Sequence, residues 1–235
     1  MKTIIESYSK LKDEVENFRN SILKIIEINP EAEKLYKGCT ILYSPLNKDP
    51  EIMFIGINPG AGFYNKFNIK TREEIDLEPA DSFEYLEAKE EDYDYTIASE
   101  TREVFEKANL YYLLEKCVKT NYFYFITSGT RDLDKLFLSL GEEMYLKFHQ
   151  LAQKWTKEMI EMVNPKIIIC EGKDAFVKIK DIYNISPTWN NSIGYFVLPN
   201  KTFIVGYKRR YSYIQDKNEL INFLKKELIS RLESK

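Results

Sequence analysis

Two hydrophobic patterns alternate along this chain of 235 residues. Apolar residues recur at steps of three and four, which predicts amphipathic helices over residues 8–28, 99–118, 141–163 and 216–231. Between them lie short runs of apolar, aromatic and β-branched residues, which predict strands at 39–43, 52–55, 121–127, 165–170, 194–200 and 201–206, the first of them at a sheet edge. Because helices and strands alternate, the pattern predicts an α/β fold.

Length and charge distribution indicate how these elements are organised. With 44% hydrophobic residues, the chain is long enough for one α/β domain spanning residues 1–235. We expect an N-terminal helical segment over 1–38 and an acidic insertion over about 65–98, since residues 71–106 hold 14 acidic and 3 basic side chains. Residues 165–235 hold 13 basic and 7 acidic side chains. A chain with a net charge of −3 can therefore still present a basic face to a polyanion.

The strand 52–55 runs into the most informative loop of the sequence, Gly56-Ile57-Asn58-Pro59-Gly60-Ala61-Gly62. Three glycines and a proline in seven residues favour a sharp turn and let a ligand approach the backbone closely. A loop after a buried strand lies at the carboxyl edge of an α/β sheet, where these folds bind ligands. Asn58 is the polar side chain of this loop. The alternative is a plain strand-to-helix turn in which Asn58 tolerates an unusual φ.

The loop differs from the two common phosphate-binding loops. A P-loop requires a lysine followed by serine or threonine, and neither pair follows here. The dinucleotide fingerprint requires a third glycine where this chain has Asn65. Neither nucleotide motif therefore explains the glycines.

The pentapeptide Gly56–Gly60 resembles the first motif of the uracil-DNA glycosylase superfamily, in the form carried by its mismatch-specific and single-strand-selective branches. The order of elements from about residue 39 onwards is similar to that fold. The resemblance implies a three-layer α/β/α sandwich with a central, mostly parallel sheet of about four strands. It also implies a hydrolase, a DNA glycosylase that cleaves the N-glycosidic bond of a flipped uracil or modified pyrimidine in DNA.

The resemblance also implies roles for individual residues. Asn58 orients the attacking water, and backbone N–H groups around Ile57 and Gly60 receive the negative charge of the departing base. An aromatic residue beyond the motif stacks on the base, and the candidates are Phe63, Tyr64 and Phe67. The expected substrate-binding residues are Gly56, Ile57, Pro59, Gly60, Phe63, Tyr64, Phe67 and Ser128. Ser128 stands where the family often has an asparagine that reads the base edge, so a modified pyrimidine is expected as readily as uracil.

This chain differs from the family in the amino-acid sequence of the second motif. The family has His-Pro-Ser after the last strand, whereas Gly206-Tyr207 stands here. The catalytic histidine is absent, and with it a donor worth on the order of 3 kcal/mol of leaving-group stabilisation. Glu171, directly after the strand 165–170, is the candidate general base, because an amide such as that of Asn58 cannot take the proton of the water.

A basic cluster interleaved with aromatic residues follows the last strand and comprises Tyr207, Lys208, Arg209, Arg210 and Tyr211. Cations there would hold phosphates on both sides of an extruded nucleotide, while a tyrosine fills the vacated stack. The alternative is a solvated turn before the last helix. Because Asn58, Ser128 and this cluster each follow a strand, we expect them to share one edge of the sheet.

Composition narrows the other expectations. Cys39, Cys117 and Cys170 are isolated, which predicts no metal site and suits a reducing cytoplasm. The sequence contains no secretion-signal pattern and no run of eighteen apolar residues, so no membrane span is expected. We expect a cytoplasmic monomer that binds DNA and needs no cofactor.

Two other functions stay open at this point. One is a catalytically inactive DNA-binding member of the same fold, which the appearance of an abasic product would eliminate. The other is a small-nucleotide-binding α/β enzyme that uses the loop 56–62 as an anion site. That enzyme would be stabilised by soluble nucleotides and not by DNA.

Overall fold

A computed structural model describes the protein over residues 3–60, 75–90 and 95–233. The chain divides into two compact units. The first is drawn from Met1–Leu42, Ile57–Glu78 and Asn121–Met162, and the second from Tyr43–Gly56, Pro79–Thr120 and Val163–Lys235. The expectation of a single domain stays a prediction.

The elements are numbered in chain order. The helices are α1 (Ile4–Ile26), α2 (Pro30–Leu35), α3 (Glu84–Glu90), α4 (Thr96–Lys107), a 3₁₀-helix (Tyr111–Lys116), α5 (Thr130–Ser139), α6 (Glu142–Val163), α7 (Lys173–Tyr183) and α8 (Lys217–Glu233). The strands are β1 (Gly38–Thr40), β2 (Ile52–Gly56), β3 (Ile75–Asp76), β4 (Val118–Asn121), β5 (Phe125–Ile126), β6 (Ile167–Cys170), β7 (Thr188–Asn190), β8 (Ile193–Val197), β9 (Phe203–Tyr207), β10 (Arg209–Arg210) and β11 (Tyr213–Ile214).

The second unit is built on a six-stranded sheet in the order β4-β2-β6-β9-β8-β7. Strand β6 pairs in parallel with both β2 and β9, while β8 and β7 continue the sheet in antiparallel pairing. Strands β2, β6 and β9 are buried along their whole length, which is typical of parallel strands covered on both faces. The protein is therefore mixed α/β, with a central, mostly parallel sheet flanked by helices.

Helix α7 packs closely on this sheet because two paired glycines lie beneath it. Gly194 of β8 faces Gly206 of β9, and the ring of Phe176 lies against both. A Cβ atom on Gly206 would lie 2.5 Å from the Cβ atom of Phe176, and one on Gly194 would lie 2.7 Å from its ring. Such distances are far inside van der Waals contact, so a side chain at either glycine would push the helix away from the sheet.

The first unit has a small sheet in the order β3-β1-β5 and an aromatic core. The core includes Phe18, Phe125, Phe137, Phe148 and Trp155, whose rings stack or meet edge to face. Helix α1 begins with a capping box, in which the side chains of Thr3 and Glu6 each accept a hydrogen bond from the other residue's backbone N–H. The capping box fixes the start of α1, and Phe18 packs this helix into the aromatic core.

The longest patterns were predicted correctly. Helices α1, α6 and α8 follow the predicted spans 8–28, 141–163 and 216–231 within a few residues, and β2, β6, β8 and β9 follow four of the predicted strands. The sheet has six strands rather than about four. Strand β7, with three exposed residues, has no apolar run by which it could be predicted.

Three local predictions were wrong. The predicted helix 99–118 ends at Lys107, because Asn109 adopts a φ of 61°, and the chain resumes as the 3₁₀-helix. Of the predicted strand 121–127, only Asn121, the last residue of β4, and Phe125–Ile126, which form β5, lie in strands, and these two strands belong to different sheets. The predicted edge strand at 39–43 is β1, which lies between β3 and β5.

Candidate functional site

The side chain of Asn58 is held in place within the first unit. Its Nδ2 donates to the carbonyl of Pro59 at 3.1 Å and to Thr127 Oγ1 at 3.4 Å, and its Oδ1 accepts from Thr130 Oγ1 at 3.2 Å. Both amide hydrogens are therefore used, whereas Oδ1 keeps one lone pair. The amide has a fixed orientation and can accept one further hydrogen bond, for example from a water.

The loop that contains Asn58 lies beside the segment that follows β5. Gly60 forms a parallel bridge with the buried Thr127, and Thr127 Oγ1 also donates to the carbonyl of Gly129 at 2.9 Å. Ser128 is exposed at this point. The structure thus brings together the glycine-rich loop and the polar segment in which the sequence placed the base-reading residue.

The described part of the glycine-rich loop leaves open space at its end. Pro59 is buried and Ile57 is 6% exposed, and the carbonyl of Ile57 accepts from the backbone N–H of Phe123 at 3.0 Å. Gly60 has no left-handed φ, and a Cβ atom added to it would meet no described atom within 4 Å. Neither strain nor packing in the described residues therefore requires glycine there. Three of the expected substrate-binding residues lie outside the described residues: Phe63, Tyr64 and Phe67.

Glu171 lies in a buried polar cluster of the second unit. Its side chain accepts from Lys119 Nζ at 2.6 Å and from the hydroxyl of Tyr85, and Lys119 Nζ also lies 2.9 Å from that hydroxyl. Glu171 is 3% exposed and Lys119 is 5% exposed. Burial, and then the carboxylate of Glu171, raise the pKa of Tyr85 well above its usual value, so this hydroxyl keeps its proton and donates it. The carboxylate of Glu171 is consequently occupied on both oxygens.

A second carboxyl group, Glu84, borders this cluster. Burial raises the pKa of Glu84, and the neighbouring carboxylate of Glu171 adds to the rise, while Lys119 and a hydrogen bond from Tyr95 oppose it. Lys119 is not the only cation at this cluster, because the buried guanidinium of Arg102 donates to the backbone carbonyl of Tyr85. The arrangement resembles a charge-balanced structural network more than an open site.

The predicted basic cluster forms a β-hairpin in the second unit. Arg210 pairs with Tyr213, which leaves Tyr211 and Ser212 as a two-residue turn between β10 and β11. Tyr211 is 85% exposed, Tyr213 is 61% exposed, and Arg210 is exposed as well. Among the residues that the structure describes, the guanidinium of Arg209 makes no hydrogen bond or ion pair. The hairpin therefore presents aromatic rings together with cations that have no acidic partner among the described residues.

Two members of the predicted cluster are placed differently from the hairpin tip. Tyr207, the last residue of β9, is 2% exposed, and burial raises its pKa, with a further contribution from Glu171. Lys208 is half-buried, and its Nζ donates to the carbonyl of Asn191 at 2.9 Å. Tyr207 thus anchors the base of the hairpin, and the solvent-accessible part begins at Lys208.

The backbone at the hairpin tip is unusual. Tyr211 has a φ of 55°, in the left-handed region. Two-residue hairpin turns call for a positive φ, but bulky residues rarely adopt this conformation, which costs them roughly 1–2 kcal/mol. The tip therefore holds an exposed aromatic ring at an energetic cost that glycine or asparagine would avoid.

Sequence reasoning missed the partners of Glu171 and one exposed aromatic residue. Lys119 and Tyr85 are 52 and 86 residues from Glu171 along the chain, and each lies in a stretch without a motif. Trp189 lies on the edge strand β7 and is 38% exposed. The residues around it in the sequence form no hydrophobic pattern by which it could have been noticed. A lysine inside a β-branched run was the available signal for the buried cluster.

No helix in the described ranges is long and apolar enough to cross a membrane. Within the same ranges, no group of three or more histidine, cysteine, aspartate or glutamate side chains is arranged to hold a metal ion. The cysteines Cys39, Cys117 and Cys170 are free and buried, and burial raises the pKa of the Cys39 thiol to about 12.

Comparison with known proteins adds no relative. No protein family matches this chain, and no curated protein matches its sequence.

Proposed function

We propose that the protein binds DNA through the hairpin β10–β11 and hydrolyses the N-glycosidic bond of a flipped uracil or modified pyrimidine. The observation that carries the proposal is Tyr211, an exposed ring held at the tip of a basic hairpin in a conformation that costs energy. A ring in this position can occupy the gap that an extruded nucleotide leaves in the stack. Arg209 and Arg210 supply the charges that bind the flanking phosphates.

The fold that goes with this proposal is the three-layer α/β/α sandwich of the uracil-DNA glycosylase superfamily. Its support is the parallel arrangement of β2, β6 and β9, with a glycine-rich loop directly after β2. The hairpin follows β9, where the family has its second motif. The missing histidine of that motif leaves the stabilisation of the departing base to backbone N–H groups of the loop 56–60.

Asn58 fits the role of a residue that positions water. Its amide is oriented by Thr127 and Thr130, and Oδ1 retains one acceptor site. A water bound there is oriented and is not deprotonated, because an amide is not a base. The reaction then depends on a leaving group that departs readily, which favours a modified pyrimidine.

A second candidate function, DNA binding without catalysis, is favoured by the state of Glu171. Its carboxylate is buried and bonded to Lys119 and Tyr85, so it is not available as a general base in this arrangement. A protein that lacks the histidine of the second motif and whose Glu171 is engaged in this way retains base flipping and loses bond cleavage. The two functions share the hairpin and differ in whether an abasic product forms.

The deciding experiment is a glycosylase assay on single- and double-stranded oligonucleotides that carry uracil, mismatched bases or modified pyrimidines. We expect alkali-labile product from the wild type and a loss of about 10²-fold or more in rate for Asn58→Ala, by analogy with the loss of one preorganised polar group. Thr130→Val, which removes one hydrogen bond to Asn58, is expected to have an intermediate effect. Unchanged melting temperatures exclude misfolding as the cause.

Gly60→Ala tests whether a ligand approaches the loop closely. The added methyl group meets no described atom within 4 Å, so we expect normal folding and a reduced rate. Absence of product on every substrate, with DNA binding that still requires Arg210, would favour the second candidate function. Absence of both product and binding would contradict the proposal.

A further inference from the structure

A second hairpin lies directly beside the DNA-binding hairpin. Asn190 pairs with Ile193, so Asn191 and Ser192 form a two-residue turn between β7 and β8, with Asn191 at a φ of 48°. Lys208 joins the two hairpins, because its backbone N–H donates to the carbonyl of Ser192 at 2.9 Å and its Nζ donates to the carbonyl of Asn191 at 2.9 Å. The two turns therefore belong to one surface.

Trp189 is the aromatic residue that the second hairpin contributes to this surface. Its indole meets the ring of Phe176 edge to face at 5.2 Å, and its Cε3 atom lies 3.0 Å from where a Cβ atom on Gly194 would stand. The inner side of the indole is thus supported by the sheet and helix α7. The residue is 38% exposed to solvent, and Lys208 Nζ lies 6.0 Å from the centroid of its ring.

A fixed, partly exposed indole beside cations that form no ion pair with a described residue has the properties of a base-stacking platform. Stacking on an aromatic side chain requires a base whose face is free, which single-stranded nucleic acid offers and a paired duplex does not. The cations of the first hairpin bind phosphates of either form. The aromatic residue therefore adds a preference for the unpaired strand to a general affinity for phosphate.

We propose that Trp189 stacks on an unpaired base of single-stranded DNA, while Lys208, Arg209 and Arg210 bind the adjoining phosphates. The inference rests on the proposed DNA binding by the hairpin β10–β11, and it identifies the strandedness of the substrate. Strand β7 contributes recognition outside the loop 56–60 and outside the hairpin tip. The exposed part of Trp189, which packing against Phe176 does not use, then has a role.

Tryptophan fluorescence gives a direct test, because the chain has two tryptophans and Trp155 is 1% exposed. The wild type and Trp189→Phe are titrated with a thymidine oligonucleotide of about fifteen residues and with the same strand in a duplex. The signal of Trp189 is the difference between the two proteins. We expect this signal to be quenched by the single strand and little changed by the duplex.

Affinity measurements complete the test. Trp189→Ala is expected to weaken binding of the single strand about tenfold, or about 1.4 kcal/mol, with Trp189→Phe in between and duplex binding unchanged within about twofold. Val197→Ala, on the neighbouring strand β8, is the matched control, since Val197 is also exposed and apolar. Melting temperatures establish that each variant is folded.

The outcomes separate the inference from the proposed function. If single-stranded DNA binds equally well to Trp189→Ala, or if the duplex quenches Trp189 equally, the stacking platform is refuted. If Arg210→Gln weakens binding in the same experiment, DNA binding by the hairpin stands without the platform. If neither form of DNA binds to the wild type, both proposals fail.

Discussion

At the scale of single residues, Tyr211 links stability to the proposed function. Its φ of 55° is costly for tyrosine and acceptable for glycine or asparagine. We predict that Tyr211→Gly leaves the free energy of unfolding unchanged or raises it by up to about 1 kcal/mol, and that DNA affinity falls about tenfold. Urea unfolding and DNA titration measure the two effects on the same preparation.

Tyr213 is the matched control for this prediction. It is 61% exposed on the same hairpin and is not among the residues with positive φ in the described chain. Tyr213→Gly places glycine in a strand, so it is expected to lower stability by roughly 0.5–1 kcal/mol. If Tyr211→Gly binds DNA as tightly as the wild type, the ring at the tip has no part in recognition.

The buried pair Lys119 and Glu171 allows a second prediction at this scale. Replacing Lys119 with Met leaves a buried carboxylate without its cation, which is expected to cost about 3–5 kcal/mol. The double variant Lys119→Met, Glu171→Gln removes the charge as well, and its loss is expected to be smaller than the sum of the single losses. Additive losses in urea unfolding would show that the two groups are not coupled.

An exposed ion pair provides the contrast. Lys154 and Glu14 lie 2.5 Å apart, with side chains 46% and 29% exposed. Because solvent screens such pairs, Lys154→Met is expected to cost no more than about 1 kcal/mol. If Lys154→Met lowers the free energy of unfolding as much as Lys119→Met does, burial is not what makes the Lys119–Glu171 pair more important for stability.

The residue scale also shows what sequence reasoning can reach in a site. Asn58 and the 127–130 segment were predictable, because each directly follows a strand and carries polar residues with glycine. Lys119 was marked only as a lysine inside a β-branched run, and its partner could not be predicted, because pairing across 52 residues leaves no local pattern. The strained conformation of Tyr211 was equally unpredictable, since the sequence of the basic cluster does not indicate a positive φ.

At the scale of elements, Lys217 joins helices α8 and α4 by bonding to Glu100 and Glu103. Hydrogen bonds from Lys107 and from Lys217 lower the pKa of Glu103 to about 2. A carboxyl group with a lowered pKa in the folded state stabilises the fold above its ordinary pKa of 4.5, and this contribution is lost as the pH falls towards 2. The contact between these helices is therefore acid-sensitive.

We predict that Lys217→Gln lowers the melting temperature at pH 7 and that the difference from the wild type shrinks between pH 4.5 and pH 2. Lys225→Gln, an exposed position on the same helix, is the control and is expected to have little effect. Thermal unfolding across this pH range measures both. If the wild type and Lys217→Gln differ in melting temperature by the same amount at pH 7 and pH 2, the stabilising effect of Lys217 does not depend on ionised carboxylates.

The same contact supports the hairpin β10–β11. The side chain of Glu100 accepts from Lys217 Nζ at 2.7 Å and from the backbone N–H of Ile214, in β11, at 3.1 Å. One carboxylate thus fixes the start of α8 and the returning strand of the hairpin. Periodicity predicted both helices, but a bond between a helix side chain and a two-residue strand has no periodic signature.

At the scale of the whole molecule, an acidic chain with a basic surface predicts a strong dependence on salt. If Lys208, Arg209 and Arg210 bind three phosphates of a single strand, the slope of log affinity against log salt is roughly −2. A fourfold rise in salt concentration then weakens binding about twentyfold. Arg210→Gln is expected to reduce the magnitude of the slope by about 0.7.

Fluorescence anisotropy at several salt concentrations measures this slope. Lys173, exposed on α7, provides a control because it is a surface cation outside the two hairpins. Lys173→Gln is expected to leave the slope unchanged. Equal effects of the two substitutions would mean that DNA responds to overall charge and not to the hairpin.

The sheet order also has a consequence for synthesis. Strand β2 lies between β4 and β6, and Glu51, just before β2, pairs with Lys166, which is 115 positions later. At the usual rate of roughly 5–20 residues per second, the ribosome needs on the order of ten seconds to deliver β6 after β2. Throughout this interval an entirely apolar strand lacks one of its neighbours, so the nascent chain is expected to depend on chaperones that cover such segments.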